Sequence, residues 1–531
     1  MSTDFLYIAG GGSFAIKLAT MLEQHSINIE FIDEFSISPL LNRPVYKSSD
    51  IVKTDKPCLL AISNNEHADA AFSRLSTQGF GPSILYKLLF ESAINVLEIM
   101  LQTDREKCLK CLAHGYDDFI SFEADFFEDP FHTGSLNEQE QANVCSLKLK
   151  PKLGMPATFF KSNVGFYYIG KGGGFRAHVG NLPSQLSNDF NVREFSDQAP
   201  HSNALADYSI MSEQSMLLNH WADVVINPHF FECSPAHIPK ITMMHMVYDF
   251  LVYKDLVAKV MQQPHTHYLF VPSKPSMKLH QQICKDYQLT NNMILIPGGY
   301  PRLDNNIAGY QKKIKIASDN DTIIYAPTLS ATVKADETRY TYSILGAVHF
   351  IPAILDAFPH KKIIFRPHPD DLSTLARGMV TQRTEAFRYL LILCDTHPRC
   401  RLDDNPTDYL DTFASACALI SDTSAIAYSF ALTTQKPVIF FSRNQQKVVE
   451  AMPNVAYIND REKIGYCVDT VDDLLATLKL VLTQETSKSK VKFCEQLVYN
   501  RGTSLSYLQD NFKYILSGEK HPDWWYWHDH C

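Results

Sequence analysis

The chain has 531 residues, 45% of them hydrophobic and 11% aromatic, which is enough for two to four domains, each with its own core. That composition excludes a disordered chain, and a formal net charge of −9 argues against broad nucleic-acid binding while leaving a local basic pocket open. No run approaches the roughly 18 uninterrupted apolar residues of a spanning helix, and the opening MSTDFLYIAGGG lacks the basic and apolar regions of a signal peptide, so a cytoplasmic, reduced protein is expected.

The first segment, 1–87, has the strand–turn–helix order of a nucleotide-binding half-fold. Phe5 to Ala9 reads as a strand, GGGSFA (Gly10 to Ala15) as a turn and Ile16 to Gln24 as a helix. Ile27 to Ile32 is a second strand ending at Asp33, and Cys58 to Ile62 a third. Gly10-x-Gly12-x-x-Ala15 with an acid about twenty residues on fits the dinucleotide fingerprint, so Gly10, Gly12 and Asp33 are candidate nucleotide-binding residues. A Rossmann-like domain that binds no dinucleotide fits the same residues. With its glycine turn and FIDE second strand, the segment resembles the N-terminal domain of sialic-acid and bacillosamine O/N-acyltransferases.

Residues 88–160 read as a connector, with a helix through Ile94 to Leu112 and then the acidic aromatic stretch FEADFFEDPFH. Within that helix, Cys108 and Cys111 form the C-x-x-C of the chain; without a second pair or matching histidines they read as ordinary thiols. A second strand–turn–helix opens the next segment, 161–312, with Val164 to Ile169 and the turn GKGGGFRAH (Gly170 to His178). Gly172, Gly173 and Gly174 could bring backbone close to an acceptor phosphate, or could simply let the next helix start tightly. Strands are expected near Val192 and at Val224–Asn227, Ile241–His245, Tyr268–Val271 and Met293–Ile296.

The third α/β segment, 313–487, has strands at TIIYAPT, KIIFRPHP, ACALISDTSA and KPVIFF and a helix over Ile344 to Ala357. Lys488 to Leu516 has helical spacing, in a C-terminal piece of 488–531 that ends in the aromatic tail HPDWWYWHDH. Docking on the chain's own surface or on a partner subunit fits that tail better than a membrane interface, because Asp523 and Asp529 would repel anionic lipid. The fold class expected is α/β: an N-terminal Rossmann-like domain followed by a GT-B pair of parallel-sheet domains.

Three motifs of the third segment fall just past strands, where an open α/β sheet places its ligand. They are Thr328 after TIIYAP, Arg366 and His368 held between prolines, and Ser421, Asp422, Thr423 and Ser424 leading into a helix. A cation, an imidazole and helix-start hydroxyls at neighbouring strand ends point to a phosphate pocket. Asp403, Asp404, Asp408 and Asp411 read as surface and cap residues, and no metal cage is expected.

GGYPRLD (Gly298 to Asp304), IIYAPT, RPHP, DYLDTFASACALISDTSA and KPVIFF occur in that order. Their order and spacing resemble the CDP-glycerol glycerophosphotransferase family, the teichoic-acid primases and polymerases, well over about 290–445 and loosely over 160–290. The resemblance implies a GT-B transferase, a CDP-activated donor and transfer of a glycerophosphate unit to a growing polymer. It also implies that His368 matches the family histidine that engages the donor pyrophosphate, and that Ser421 to Ala425 match its phosphate-binding loop. Thr423 stands there for a tyrosine and Ala425 for a serine. The family's second histidine, in a W-H-G-T turn, has its nearest match in His245 of MMHMVYD, which lacks the flanking residues.

The function expected is therefore transfer of a glycerophosphate or similar alditol-phosphate unit to a glycan or polymer acceptor in surface-polysaccharide assembly. His245 and His368 are the catalytic candidates, and no cofactor is required beyond the nucleotide-activated donor. A glycosyltransferase using a UDP- or CMP-sugar, and a non-catalytic nucleotide-sugar-binding protein, are the alternatives. A peripheral contact with the inner face of the cell membrane and a homo-oligomer are compatible with the sequence.

Overall fold

The computed structural model describes residues 5–35, 38–51, 54, 56–81, 85–113, 119–127, 161–170, 176–200, 204–205, 207–248, 254–315, 321–329, 343–376, 381–405, 408–484 and 486–531. They divide into two compact units. The first comprises Met1–Arg176, Asn181–Thr242 and Gln263–His267; the second comprises Ala177–Gly180, Met243–Gln262 and Tyr268–Cys531.

The first unit begins with five short strands, β1 (Phe5–Ala9), β2 (Asn28–Ile32), β3 (Val45–Tyr46), β4 (Cys58–Leu60) and β5 (Leu85–Lys87). They pair in parallel in the order β3-β2-β1-β4-β5, with Tyr7 opposite Cys58 and Ile8 opposite Phe31. Parallel strands need crossovers, and helices α1 (Ser13–Gln24) and α2 (Asn65–Thr77) supply them. Leu18 and Leu22 of α1 bury against Leu6, Ile8 and Phe31.

The helix expected over Ile94 to Leu112 is two helices, α3 (Glu91–Thr103) and α4 (Arg105–Leu112). Asp104 separates them: its side chain accepts from the Lys107 amide at 2.9 Å, which caps a new helix instead of continuing the old one. Both, with α5 (Phe119–Phe127), bury Ile94, Leu97, Leu109 and Phe122 in the same core as β1 and β2. Cys108 and Cys111 are buried thiols of that core.

The same unit holds a second parallel set, β6 (Asn163–Tyr168), β7 (Asn191–Ser196), β8 (Tyr208–Ile210), β9 (Val224–Asn227) and β10 (Lys240–Met243), in the order β10-β9-β6-β7-β8. β6 is buried from Val164 onward, the pattern of a strand covered on both faces.

In the second unit, β11 (His267–Val271) and β12 (Met293–Pro297) lie side by side, followed by a six-stranded parallel sheet. Its strands are β13 (Thr322–Tyr325), β14 (Lys362–Phe365), β15 (Cys400–Leu402), β16 (Ala416–Ser421), β17 (Val438–Phe441) and β18 (Gly465–Val468), in the order β15-β14-β13-β16-β17-β18. The Ile344–Ala357 helix packs Phe350 and Ile354 onto one face with Ile363 and Phe365. Successive parallel α/β layers in chain order are the fold class expected from the sequence.

The helical stretch expected over Lys488 to Leu516 is broken into Lys488–Leu497 and Ser504–Ser517. Asn500 and Gly502 between them take positive φ, at 41° and 86°, which no α-helix continues through. The tail docks on its own unit. β19 (Trp525–Tyr526) pairs antiparallel with β12, and the Trp527 indole donates to the Leu289 carbonyl at 2.7 Å.

Candidate active site

β14, β13 and β16 are adjacent, so their carboxyl ends bring three loops together. β14 runs into Arg366-Pro367-His368-Pro369, β13 into Ala326-Pro327-Thr328, and β16 into Asp422-Thr423-Ser424-Ala425. A cavity of about 180 Å³ opens there, wholly within the second unit, and Arg366, His368 and Ser424 line it. So does His245, two residues beyond β10. Four of the sequence candidates therefore share one pocket.

The others stand back from it. The Ser421 hydroxyl donates to the Ala326 carbonyl at 2.7 Å and ties β16 to β13. Asp422 is buried, and its carboxylate accepts from the amides of Thr328, Ser343 and Thr423 and from the Ser343 hydroxyl, all within 2.8 Å. Burial pushes its pKa up against those hydrogen bonds. Asp422 thus fastens the loops that shape the pocket, and Thr328 and Thr423 reach it through their backbone amides. Gly172, Gly173 and Gly174 lie outside the described residues.

Sequence reasoning missed four side chains that complete the wall: His178, Tyr300, Arg302 and Tyr409. Tyr300 and Arg302 stand in GGYPRLD, which was read as a family marker and not as a site. Gly299 there has φ +106°, and a Cβ would meet the Tyr499 carbonyl at 2.5 Å, so only glycine makes the turn that delivers both residues. Pro301 then starts the Pro301–Lys313 helix at its first position. His178 is the last residue of GKGGGFRAH.

Their hydrogen bonds run in one direction. Tyr300 Oη donates to the His245 carbonyl at 2.7 Å, which uses the single phenolic proton. At 2.9 Å from Tyr300 Oη, His178 Nδ1 must therefore carry a proton and donate it. Arg302 Nη1, which can only donate, lies 3.0 Å from His178 Nε2, so that nitrogen is the acceptor. The chain Arg302 to His178 to Tyr300 to the His245 carbonyl holds His178 as the neutral Nδ1–H tautomer.

Two guanidiniums share one aromatic ring. Arg302 and Arg366 have their central carbons 5.3 and 5.2 Å from the Tyr409 ring centre. Arg366 pairs with Asp403 at 2.7 Å and donates to the Asn405 carbonyl at 2.6 Å. Arg302 has no carboxylate partner among the described residues. No carboxylate is among the described residues lining the pocket; Asp403 behind it offsets Arg366, and the charge of Arg302 remains. The Ile426–Thr434 helix opens onto it at Ser424, Ala425 and Ile426, adding the positive end of a helix dipole. Nothing in that lining repels an anion carrying two phosphates.

Residues 241–502, just under half of the chain, match the family model described as CDP-Glycerol:Poly(glycerophosphate) glycerophosphotransferase. This stretch is a domain of that family. The glycerophosphotransferase domain thus includes His245, Arg302, Arg366, His368 and Ser424, while His178 precedes it. Among solved structures the chain is similar to a variant of the wall teichoic acid polymerase TagF, at 14% identity and a TM-score of 0.46 over 72% of this chain and 94% of that one. It is also similar to S. aureus MnaA in complex with UDP, at 12% identity and a TM-score of 0.43 over 68% of this chain and 99% of that one. A UDP-N-acetylglucosamine 2-epimerase assigned as such from Listeria monocytogenes gives 12% and 0.43 over 68% and 98%. No curated protein matches the chain.

Among the described residues, no helix is long and apolar enough to cross a membrane, and no group of three His, Cys, Asp or Glu side chains is placed to hold a metal ion.

Proposed function

We propose that this glycerophosphotransferase domain takes CDP-glycerol as donor and a hydroxyl at the end of a glycerophosphate polymer or related glycan as acceptor. The observation that carries the reading is the pair of guanidiniums on Tyr409, Arg302 and Arg366, in a pocket with three imidazoles and no carboxylate among its described lining residues. A pyrophosphate needs this kind of charge, and Arg presents it as a planar fork matched to phosphate oxygens.

In the proposed step the acceptor oxygen attacks the phosphorus that bears glycerol, and the bond from that phosphorus to the bridging oxygen of the pyrophosphate breaks, the oxygen leaving on the cytidylate. CMP leaves with the bonding electron pair, and the acceptor's proton passes to a base. Transfer of this type depends on positioning and charge neutralisation more than on covalent help. Arg302 and Arg366 hold the pyrophosphate. His368, fixed between Pro367 and Pro369, donates to the departing phosphate, an interaction worth about 3 kcal/mol in a transition state. His245 takes the acceptor proton, worth roughly 10²–10⁴ in rate. His178 is not that base, because Arg302 occupies its accepting nitrogen.

The test is turnover of CDP-glycerol, CDP-ribitol, UDP-sugars and CMP-sugars with a glycerophosphate primer. CMP release from CDP-glycerol with lengthening of the primer, lost in His368→Ala, is expected. Turnover of a UDP- or CMP-sugar alone would make the protein a glycosyltransferase on the same pocket, and full activity in His368→Ala would remove that residue from the mechanism.

A further inference from the structure

The five-stranded sheet of the first unit carries a crevice that the transfer reaction does not use. Its order, β3-β2-β1-β4-β5, runs outward in opposite directions from β1 and β4, and open α/β sheets bind ligands past the strand ends at such a switch point. A cavity of about 60 Å³ lies there, lined among others by Gly10, Asp33, Glu34, Phe35, Ile62 and Arg74. That volume suits the hydroxyl edge of a sugar ring; the remainder of a larger ligand would lie across the turn.

Asp33 is the first residue past β2, and its Oδ1 accepts from the Phe35 amide at 2.7 Å. Its Oδ2 lies against Gly11, where a Cβ would overlap it, so the bare glycine lets the carboxylate sit on the turn. A carboxylate has about four acceptor positions, and that of Asp33 lines the cavity. Phe35 is 95% exposed, the most exposed of the large apolar side chains among the described residues. It stands at the cavity wall beside the carboxylate and offers a bare aromatic face of the kind on which a base stacks. Glu34 accepts from the Ser48 amide at 2.8 Å and lies 3.7 Å from Arg74 Nε, so the second acid is committed to the wall. Gly12, which precedes α1 without a side-chain cap, has nothing within 4 Å of where a Cβ would stand, leaving the turn open on the phosphate side.

We infer that this crevice binds a ribonucleotide, with the ribose diol on Asp33, the base on Phe35 and the phosphates over the Gly10–Gly12 turn. The site is independent of the transfer reaction and stands whether or not CDP-glycerol is the donor.

The experiment is calorimetry on the full chain carrying Arg302→Ala and His368→Ala, so that nucleotide binding in the second unit is suppressed. ADP and UDP are titrated, each beside its 2′-deoxy analogue, and repeated with Asp33→Asn and with Phe35→Ala. Because Phe35 is exposed, its loss leaves folding intact. At least one ribonucleotide should bind at one site, with about tenfold weakening in the 2′-deoxy analogue and in Phe35→Ala. Absence of binding by both at millimolar concentration, or binding unchanged by the 2′-deoxy and Phe35→Ala changes, would overturn the inference.

Discussion

Arg302 Nη1 lies 3.0 Å from Nε2 of His178, and that contact makes the histidine a holder of the arginine instead of a base. The guanidinium is then pinned by the imidazole and by Tyr409, over its ring and through a hydrogen bond to its hydroxyl oxygen. Arg302→Ala should lower kcat/KM by about 10² or more, as expected for loss of a preorganised phosphate donor. Arg302→Lys should recover little, because a single ammonium cannot keep the fork, the stacking and the imidazole bond together. Steady-state kinetics on the three proteins reads this directly. His178→Phe should lower kcat/KM through Arg302 while leaving the shape of the pH–rate profile unchanged, whereas loss of a base would remove a limb of it.

Tyr409 orients both arginines, so its ring matters more than its hydroxyl. Tyr409→Phe loses the hydrogen bonds its oxygen accepts from Asn306 at 2.8 Å and from Arg302, each about 1 kcal/mol, and keeps the stacking. Tyr409→Leu loses both cation–π contacts, each about 0.5–2 kcal/mol, and should raise the donor's KM roughly tenfold. Equal KM values in the two variants would show that the ring carries no part of donor binding.

Asp422 is a structural acceptor, so its replacement should act on stability first. Asp422→Ala strands three amides and a hydroxyl in a buried place and should cost about 3 kcal/mol, read as a shift in the denaturant midpoint at unchanged slope. Asp422→Asn should recover part of it, since the amide oxygen still accepts while its nitrogen cannot.

Two buried histidines make the first unit acid-sensitive. Burial lowers the pKa of His229 to about 4, and burial with the nearby Lys240 charge lowers His265 to about 4 despite its bond to the Ile238 carbonyl. An unfolded histidine titrates near 6.5. Between those values the unfolded chain binds protons that the folded chain does not, so stability falls as pH drops from about 6.5 to about 4. Each site can contribute up to about 3 kcal/mol to that loss. Denaturant titrations at pH 7, 6 and 5 measure it, and His229→Phe should flatten the slope.

The fold was legible where periodicity was strong. The apolar runs at Phe5, Val164, Thr322, Lys362 and Ala416 all begin at or near observed strands, because a strand buried on both faces is a short continuous apolar segment. The breaks at Asp104 and at Asn500–Gly502 were overlooked since helical spacing carries across them, and a cap or a left-handed residue outweighs spacing locally. Within the pocket, Arg366 and His368 were conspicuous because prolines flank them. His178, Arg302 and Tyr409 come from three separate stretches, and nothing in the sequence says that they meet. Arg302 carried the best available signal, an arginine directly after the Gly-Gly-Tyr-Pro turn at a helix start, where anions bind.

The most direct test of the account is the affinity of CDP-glycerol for the full chain, by calorimetry, compared between wild type and Arg302→Ala, with Tyr409→Phe as a control for intact folding. With Phe35→Ala in all three proteins to silence the Gly10–Gly12 crevice, the account predicts one donor site, at least about tenfold weaker binding without the arginine, and near-normal binding in the control. Unchanged affinity in Arg302→Ala would contradict it, because the Arg302 guanidinium would then have no part in holding the donor pyrophosphate.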